Sequence, residues 1–279
     1  MLDRSVYTVT PAAAITLPLH AQLAAQLGSA HSCAMEWSDD AIILGSRRHG
    51  EGSALVEAMT ANHGRHLGLV RGARSQRLAP IIQLGNRVRL VWRARLDEHL
   101  GQFAVEPVQL RAGSWMIDAL ALHGLNHLAD LVRLLPEREP QPGMFDAMLV
   151  VLDHLENMPV CGPLLVRFEL ALLVELGFGL DLNACAVTGA TQELRYVSPK
   201  SGRAVSAKAG ADYADRLLRL PGFLGGSVGH ADAEAAMSDN ALRDGFALTG
   251  HFLERNVYGP RGMPPPVARE RLVAALMTV

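Results

Sequence analysis

Lysine is almost absent from this 279-residue chain: Lys200 and Lys208 are the only two, so 24 of its 26 basic residues are arginine. Cysteine is nearly as scarce. Cys33, Cys161 and Cys185 stand at unrelated spacings, which excludes a disulfide framework and a complete cysteine metal site. A reducing, cytoplasmic setting is the expectation. No apolar run reaches the roughly twenty residues that a membrane helix needs, so no membrane partner is expected. Also missing are a Gly-x-x-x-x-Gly-Lys loop and a His-Glu-x-x-His pair. Their absence removes the usual signatures of phosphate-loop and zinc-protease chemistry. There is no internal repeat and no low-complexity segment.

What is present is ample apolar material, 49% hydrophobic residues against 19% charged, enough for one large or two to three small domains. The formal net charge of −2 argues against a nucleic-acid binder. Its distribution argues the other way. Between Arg47 and Arg95 ten arginines face only Glu51 and Glu57. The segment Gly68–Arg95 holds Arg71, Arg74, Arg77, Arg87, Arg89, Arg93 and Arg95 and no acid. In its second half Val88, Leu90 and Trp92 alternate with Arg87, Arg89 and Arg93. On a strand this sends an apolar row into a core and a guanidinium row to solvent. Like charges at such density repel unless an anion sits among them, and phosphate is the leading candidate.

Residues 1–34, with Pro11 and Pro18 and without a basic leader, read as a poorly ordered extension, at most a short helix around Leu19–Leu27. Met35 is a second candidate start. Five strand-like pieces follow: Ala41–Arg47, Ser53–Thr60, His66–Ala73, Arg87–Ala94 and Leu100–Glu106. They are joined by turn-forming segments rich in Gly and Asn. This predicts a five-stranded antiparallel barrel of OB-fold type over 35–112. Past Pro107–Ser114 the pattern becomes helical, giving an α+β chain with a helical domain over 113–279. Ser114 is the candidate cap of a helix to Leu135, with Ile117, Leu120, Leu125, Leu128, Leu131 and Leu135 as its buried stripe. A second helix is predicted over Met144–Asn157. A third begins at Pro163 and stops at Gly177, with Leu165, Phe168, Leu172 and Leu176 inward and Arg167, Glu169 and Glu175 on the surface. An irregular insert over 181–209 contains strand candidates Glu193–Val197 and Arg203–Ser206. Helices over Ser238–Val257 and Val267–Met277 complete the chain.

Groups able to do chemistry are few. His123, His127 and Asp130 share helical spacing and offer a metal set, though a polar helix edge is the simpler reading. Asp153 and His154 point to different helix faces and read as solvated surface. His63 and His66 flank a Gly64-Arg65 turn near the basic segment.

Three stretches resemble one family. Glu36–Gly52 with its Arg47-Arg48-His49-Gly50-Glu51 turn, followed by Gly64-Arg65 and Arg71-Gly72-Ala73-Arg74, is similar to the amino-terminal barrel of the bacterial recombination mediator RecO family. Arg167–Gly189 resembles that family's Phe-Glu-x-x-Leu-Leu helix, its Leu-Gly-aromatic-Gly stop and its Asp-Leu-x-x-Cys-x-x-Cys-Gly segment. Thr249–Pro260 lies where the family has a late helix. Zinc-bearing relatives have two Cys-x-x-Cys pairs in the insert. Here Cys185 keeps one position, while Thr188, Ser206 and Ala209 occupy the others, so a zinc-ribbon shape without metal is expected.

The resemblance implies a non-enzymatic role without a cofactor. Such proteins bind single- and double-stranded DNA and anneal complementary strands. They act with RecR and with the acidic C-terminal tail of single-strand-binding protein so that RecA loads, at the nucleoid. On this reading the DNA contacts are Arg71, Arg74, Arg77, Arg87, Arg89, Arg93 and Arg95, with Arg65 secondary. Trp92 is a core residue by parity rather than a stacking platform. Arg243, Phe246, Phe252 and Arg255 are candidates for a groove taking an acidic, aromatic-tipped peptide, with helix core as the competing role for both phenylalanines. An RNA-binding barrel, and a metal-dependent enzyme built on His123, His127 and Asp130, are the rival readings.

Overall fold

The structure is a computed structural model that describes residues 35–225 and 239–276. The proposed extension 1–34, its candidate helix, Ser238 and Met277 lie outside the described residues.

Five strands close into a barrel: β1 (Met35–His49), β2 (Ser53–Thr60), β3 (Gly64–Val70), β4 (Arg87–Ala94) and β5 (Gln102–Gln109). Their order around it is β1-β2-β3-β5-β4, with β3 and β5 parallel and the other pairs antiparallel. This is the OB-fold arrangement. β2 and β4 occupy the spans predicted, and Val88, Leu90 and Trp92 are fully buried in the barrel as their parity requires. β3 starts earlier than expected, because the turn before it is closed locally. Thr60 Oγ1 accepts from His63 N at 3.0 Å and donates to Gly64 O at 2.8 Å. Gly64 has φ of 67°, and a Cβ there would lie 2.0 Å from Glu139 O, so no other residue fits.

β1 is the long strand, and its alternation serves two cores. Ala41 and Ile43 point into the barrel, whereas Ile42 and Leu44 join a larger core formed with the helices. A register shift between Ile43 and Gly45 lets the strand bend between its two partners.

The helical region comprises α1 (Ala112–Trp115), α2 (Ala119–Val132), α3 (Pro142–Asp153) and α4 (Met158–Glu175), then an insert, α6 (Asp239–Leu253) and α7 (Val267–Leu276). The insert holds a three-stranded sheet ordered β7-β6-β8, from β6 (Leu194–Val197), β7 (Ala204–Ser206) and β8 (Leu218–Arg219), with a one-turn helix α5 (Ala207–Gly210). The expected cap is displaced. Asp118, not Ser114, caps α2 by accepting from Leu120 N (2.8 Å) and Ala121 N (3.1 Å), so the chain breaks before it and Ile117 is 93% exposed instead of buried. α4 begins five residues before Pro163, with Pro159 in its first turn, and Pro163 lies in its interior. Gly177 stops it as expected: Gly177 N bonds Val174 O and Phe178 N bonds Leu173 O, the paired bonds of a left-handed C-cap.

Glu169 overturns its expected surface position. It follows Leu165 by four residues, so it shares that residue's inward face, and it is completely buried. His127 Nε2 lies 2.8 Å from its Oε1, Arg269 Nε donates to Oε1 at 2.7 Å, and Thr249 donates its hydroxyl to Oε2. One carboxylate thus ties α2, α4, α6 and α7 together. Burial pushes its pKa up, but the Arg269 charge and the His127 contact win and hold it at about 2. Its folded pKa is depressed, so its contribution to stability is complete above pH of about 4.5 and is lost as pH falls toward 2. Glu169→Gln leaves the half-buried Arg269 without its counter-charge and is expected to destabilise the protein by about 3–5 kcal/mol in urea unfolding. The exposed Glu175→Gln is the control, with a change below about 0.5 kcal/mol.

Candidate nucleic-acid interface

The outward row of β4 is present, but part of its neutralisation comes from the protein itself. β1 runs antiparallel beside β4 and sets Glu36 opposite Arg93 and Asp40 opposite Arg89. Arg87 Nε donates to both Asp40 oxygens, at 3.1 and 2.9 Å, and its Nη2 adds a third bond. Arg93 grips Glu36 through Nε and Nη2. The anions that a dense arginine row demands are therefore partly in the adjacent strand. Sequence reasoning missed them because they lie about fifty residues away. Arg89 is exposed between Asp40 on β1 and Glu106 on β5, with no ion pair within 4 Å among the described residues.

Charge without an acidic partner is concentrated in the connections. Arg71, Arg77 and Arg95 are exposed, and their side chains make no hydrogen bond or ion pair with the described residues; the same holds for the side chains of Arg47 and Arg48 at the end of β1. Arg74 is exposed and donates to Glu51 O at 2.9 Å, which fixes its direction and leaves its charge unopposed. Barrel closure brings two of these connections together. Leu69 N bonds Gly101 O, and Gln102 pairs with both Leu69 and Arg93, so the start of the Arg71–Arg77 loop meets the end of β4 with Arg93 and Arg95. Arg47 and Arg48 were visible only as part of a turn motif; their adjacency to this loop depends on the β1–β2 hairpin.

Arg65 has a different job. Its Nη1 donates to Glu57 Oε1 at 2.7 Å and its Nε to Leu135 O. Arg133 reaches the other oxygen of Glu57 at 2.9 Å and donates to Leu44 O at 2.6 Å. Glu57 is thus clasped between a barrel arginine and a helical-region arginine, and Arg65 belongs to the junction of the two halves. Asn86, 1% exposed, adds to this junction. Its side-chain nitrogen donates to Pro80 O and its oxygen accepts from Arg111 N and Ala112 N.

The groove expected around Phe246 and Phe252 is not open. Both rings are fully buried, because they lie on the inward stripe of α6, and the Arg269 guanidinium covers Phe246 at 5.6 Å. Arg255 donates to Pro199 O and Lys200 O, and Arg243 is also engaged within the chain. The metal set dissolves as well: His127 faces Glu169 in the core, Asp130 pairs with Arg133, and no cluster of three metal-binding side chains exists among the described residues.

In the insert, Cys185 and Ser206 are brought together: Ser206 N lies 3.3 Å from Cys185 Sγ. Burial raises the thiol pKa, but hydrogen bonds from Thr188 and Ser206 outweigh it and lower it to about 6. Two hydroxyls and an alanine methyl beside one sulfur do not make a zinc site, and the residues do not fit that ion. Among the described residues, no helix is long and apolar enough to cross a membrane.

An OB-fold barrel with an arginine-lined edge, joined to a helical body, defines a class of single-chain proteins with two dissimilar halves. Residues 35–111 match the family described as "Recombination protein O N terminal", and residues 116–263 match "Recombination protein O C terminal". The chain is 57% identical over 241 residues to the DNA repair protein RecO of Methylobacterium nodulans, an alignment covering 86% of this chain and 97% of that protein. Identity to the DNA repair protein RecO of Chelativorans sp. is 56% over 243 residues, covering 87% and 96%, and to that of Rhizobium etli 56%, covering 87% and 93%. The chain belongs to the RecO family, and a role in DNA repair and recombination follows.

Two expectations test this geometry. Arg65→Ala should cost about 2–4 kcal/mol of stability, by leaving Glu57 with one partner and Leu135 O unpaired, and should leave the salt dependence of any DNA binding unchanged. His66 is 2% exposed, both its ring nitrogens are unpartnered, and burial among Trp37, Trp92 and Phe103 pushes its pKa down to about 4. The unfolded chain takes up this proton first, so stability should fall as pH drops from 6.5 toward 4. The loss attributable to His66 should be about 2 kcal/mol between roughly pH 6.5 and 4.5, and His66→Phe should remove it in urea titrations.

Proposed function

We propose that this protein is a recombination mediator that binds single- and double-stranded DNA through the unopposed arginines of the barrel and anneals complementary strands. The observation that carries this reading is the set Arg71, Arg74, Arg77, Arg89 and Arg95. All are exposed and, among the described residues, without an acidic partner within 4 Å, and the barrel connections bring several of them together. Contacts of this kind hold phosphate irrespective of base, so affinity comes without sequence preference. Annealing then needs no catalytic group: two polyanions held on one cationic edge repel each other less, and many weak contacts let the strands slide into register. Membership in the RecO family supports partnership with RecR and with the acidic tail of single-strand-binding protein, delivering coated DNA to RecA in the cytoplasm at the nucleoid. Arg87 and Arg93, already paired with Asp40 and Glu36, contribute less to phosphate binding than the free set, and Arg65 serves the junction.

A salt series of single-stranded DNA binding tests this. Replacing Arg71, Arg77, Arg89 and Arg95 with alanine should make the slope of log affinity against log salt shallower by about two to three units. The Arg87→Ala/Arg93→Ala variant should change it by less than about one. Equal slopes for wild type and the fourfold variant would remove the barrel edge as the DNA surface.

A further inference from the structure

One end of the barrel contains a stack of rings that the arginine surface does not explain. Trp37, near the start of β1, lies against His63 with ring centroids 4.1 Å apart and planes 7° from parallel. Its other side stacks on Trp92 at 5.6 Å and 18°. His66 meets both indoles edge-on, at 5.1 and 5.2 Å, and Phe103 flanks Trp37 at 6.4 Å. The result is a column, Trp92–Trp37–His63, that starts in the barrel core and ends in solvent. Trp92 is fully buried, Trp37 partly buried, and the His63 side chain 36% exposed.

His63 is held rather than loosely laid on top. Its Nδ1 is 2.9 Å from Oδ2 of Asp39, a carboxylate only 3% exposed. Asp39 also accepts from Asn62 N at 2.7 Å, Asn62 Nδ2 at 2.9 Å and Asp40 N at 2.9 Å. One face of the ring lies on Trp37 and one edge on Asp39, and 36% of the side chain remains exposed. A plug for the barrel would be complete with Trp37, Trp92 and Phe103. A planar π-face fixed by a buried acid and turned outward is instead a preorganised stacking surface. Basic residues lie close along the chain. Beyond Trp92 come Arg93, paired with Glu36, and the exposed Arg95. Arg138 donates to Asp97 O and to His99 O in the loop that follows.

We propose that the outer face of the His63–Trp37 stack is a nucleobase-stacking site, taking one unpaired base of a single strand whose phosphates run along the arginine edge. The site rests on the DNA-binding reading above and adds to it a preference for exposed bases over backbone alone. Duplex DNA, with its bases stacked on each other, cannot use it. Single- and double-stranded DNA therefore differ in how they occupy one and the same barrel.

The test uses the full chain and two probes of equal length, an oligothymidylate and an abasic oligodeoxyribose phosphate. The readouts are affinity, its salt slope, and quenching of the intrinsic tryptophan fluorescence. Wild type should bind oligothymidylate about tenfold more tightly than the abasic strand, with quenching by the former only. His63→Phe should keep the preference, since it keeps a π-face over Trp37. His63→Leu covers Trp37 without a π-face and should bring the ratio close to one, with the salt slope unchanged. Equal wild-type affinities for the two probes, with steep salt slopes for both, would overturn the stacking site and leave the phosphate surface standing. An unchanged ratio in His63→Leu would overturn it as well. Failure of both probes to bind would remove the DNA reading and this site together.

Discussion

Alternation along β1 is the constraint on which the remainder of the molecule depends. Its odd-numbered residues Ala41 and Ile43 fill the barrel and its even-numbered residues Ile42 and Leu44 fill the helical core, so one strand is structural for both halves. A change in register of one residue would exchange these two sets of side chains. The same alternation sets Asp39 inward, where it orients His63, and Glu36 and Asp40 outward, where they meet the arginines of β4. Core, junction and surface chemistry are in this way consequences of a single strand's parity.

Charge is treated differently in the two halves. In the helical core, Glu169 concentrates His127, Thr249 and Arg269 on one buried carboxylate, so removing any one leaves the others incompletely paired. At the barrel surface the pairs are solvated, and pairs of that kind contribute little to stability. There Glu36 and Asp40 mainly determine which arginines remain available. The free positive charge is consequently displaced from the strand face toward the connections at Arg71–Arg77 and Arg95.

Much of this was legible in the sequence, and the exceptions have physical reasons. The five strands, the parity of Val88, Leu90 and Trp92, and the Gly177 stop followed from local periodicity and turn chemistry. The misplacement of Glu169 came from reading polarity as exposure, although its spacing from Leu165 already placed it inward. The cap at Asp118 competed with Ser114 only four residues away, and both are good capping residues. The pairing of Arg87 with Asp40, 47 residues apart, was not legible, and that of Arg65 with Glu57 depends on the β2–β3 register, since cross-strand neighbours are invisible to a local pattern. The stack of Trp37 on His63 is of the same kind: its two members sit on different elements and meet through the pairing of β1 with β2 and the turn that follows.

The shared strand also has a consequence in time. The ribosome delivers the barrel strands first and the helical region afterwards. Chain growth at about 5–20 residues per second leaves on the order of ten to thirty seconds between completion of β5 and emergence of α7. Until the helices that follow are made, Ile42, Leu44 and Met59, which join the helical core, sit on the outside of an otherwise finished barrel. The nascent chain therefore presents an apolar strand face to water until the helices arrive. Arg269 closes onto Glu169, a hundred residues earlier, only as the last helix is made.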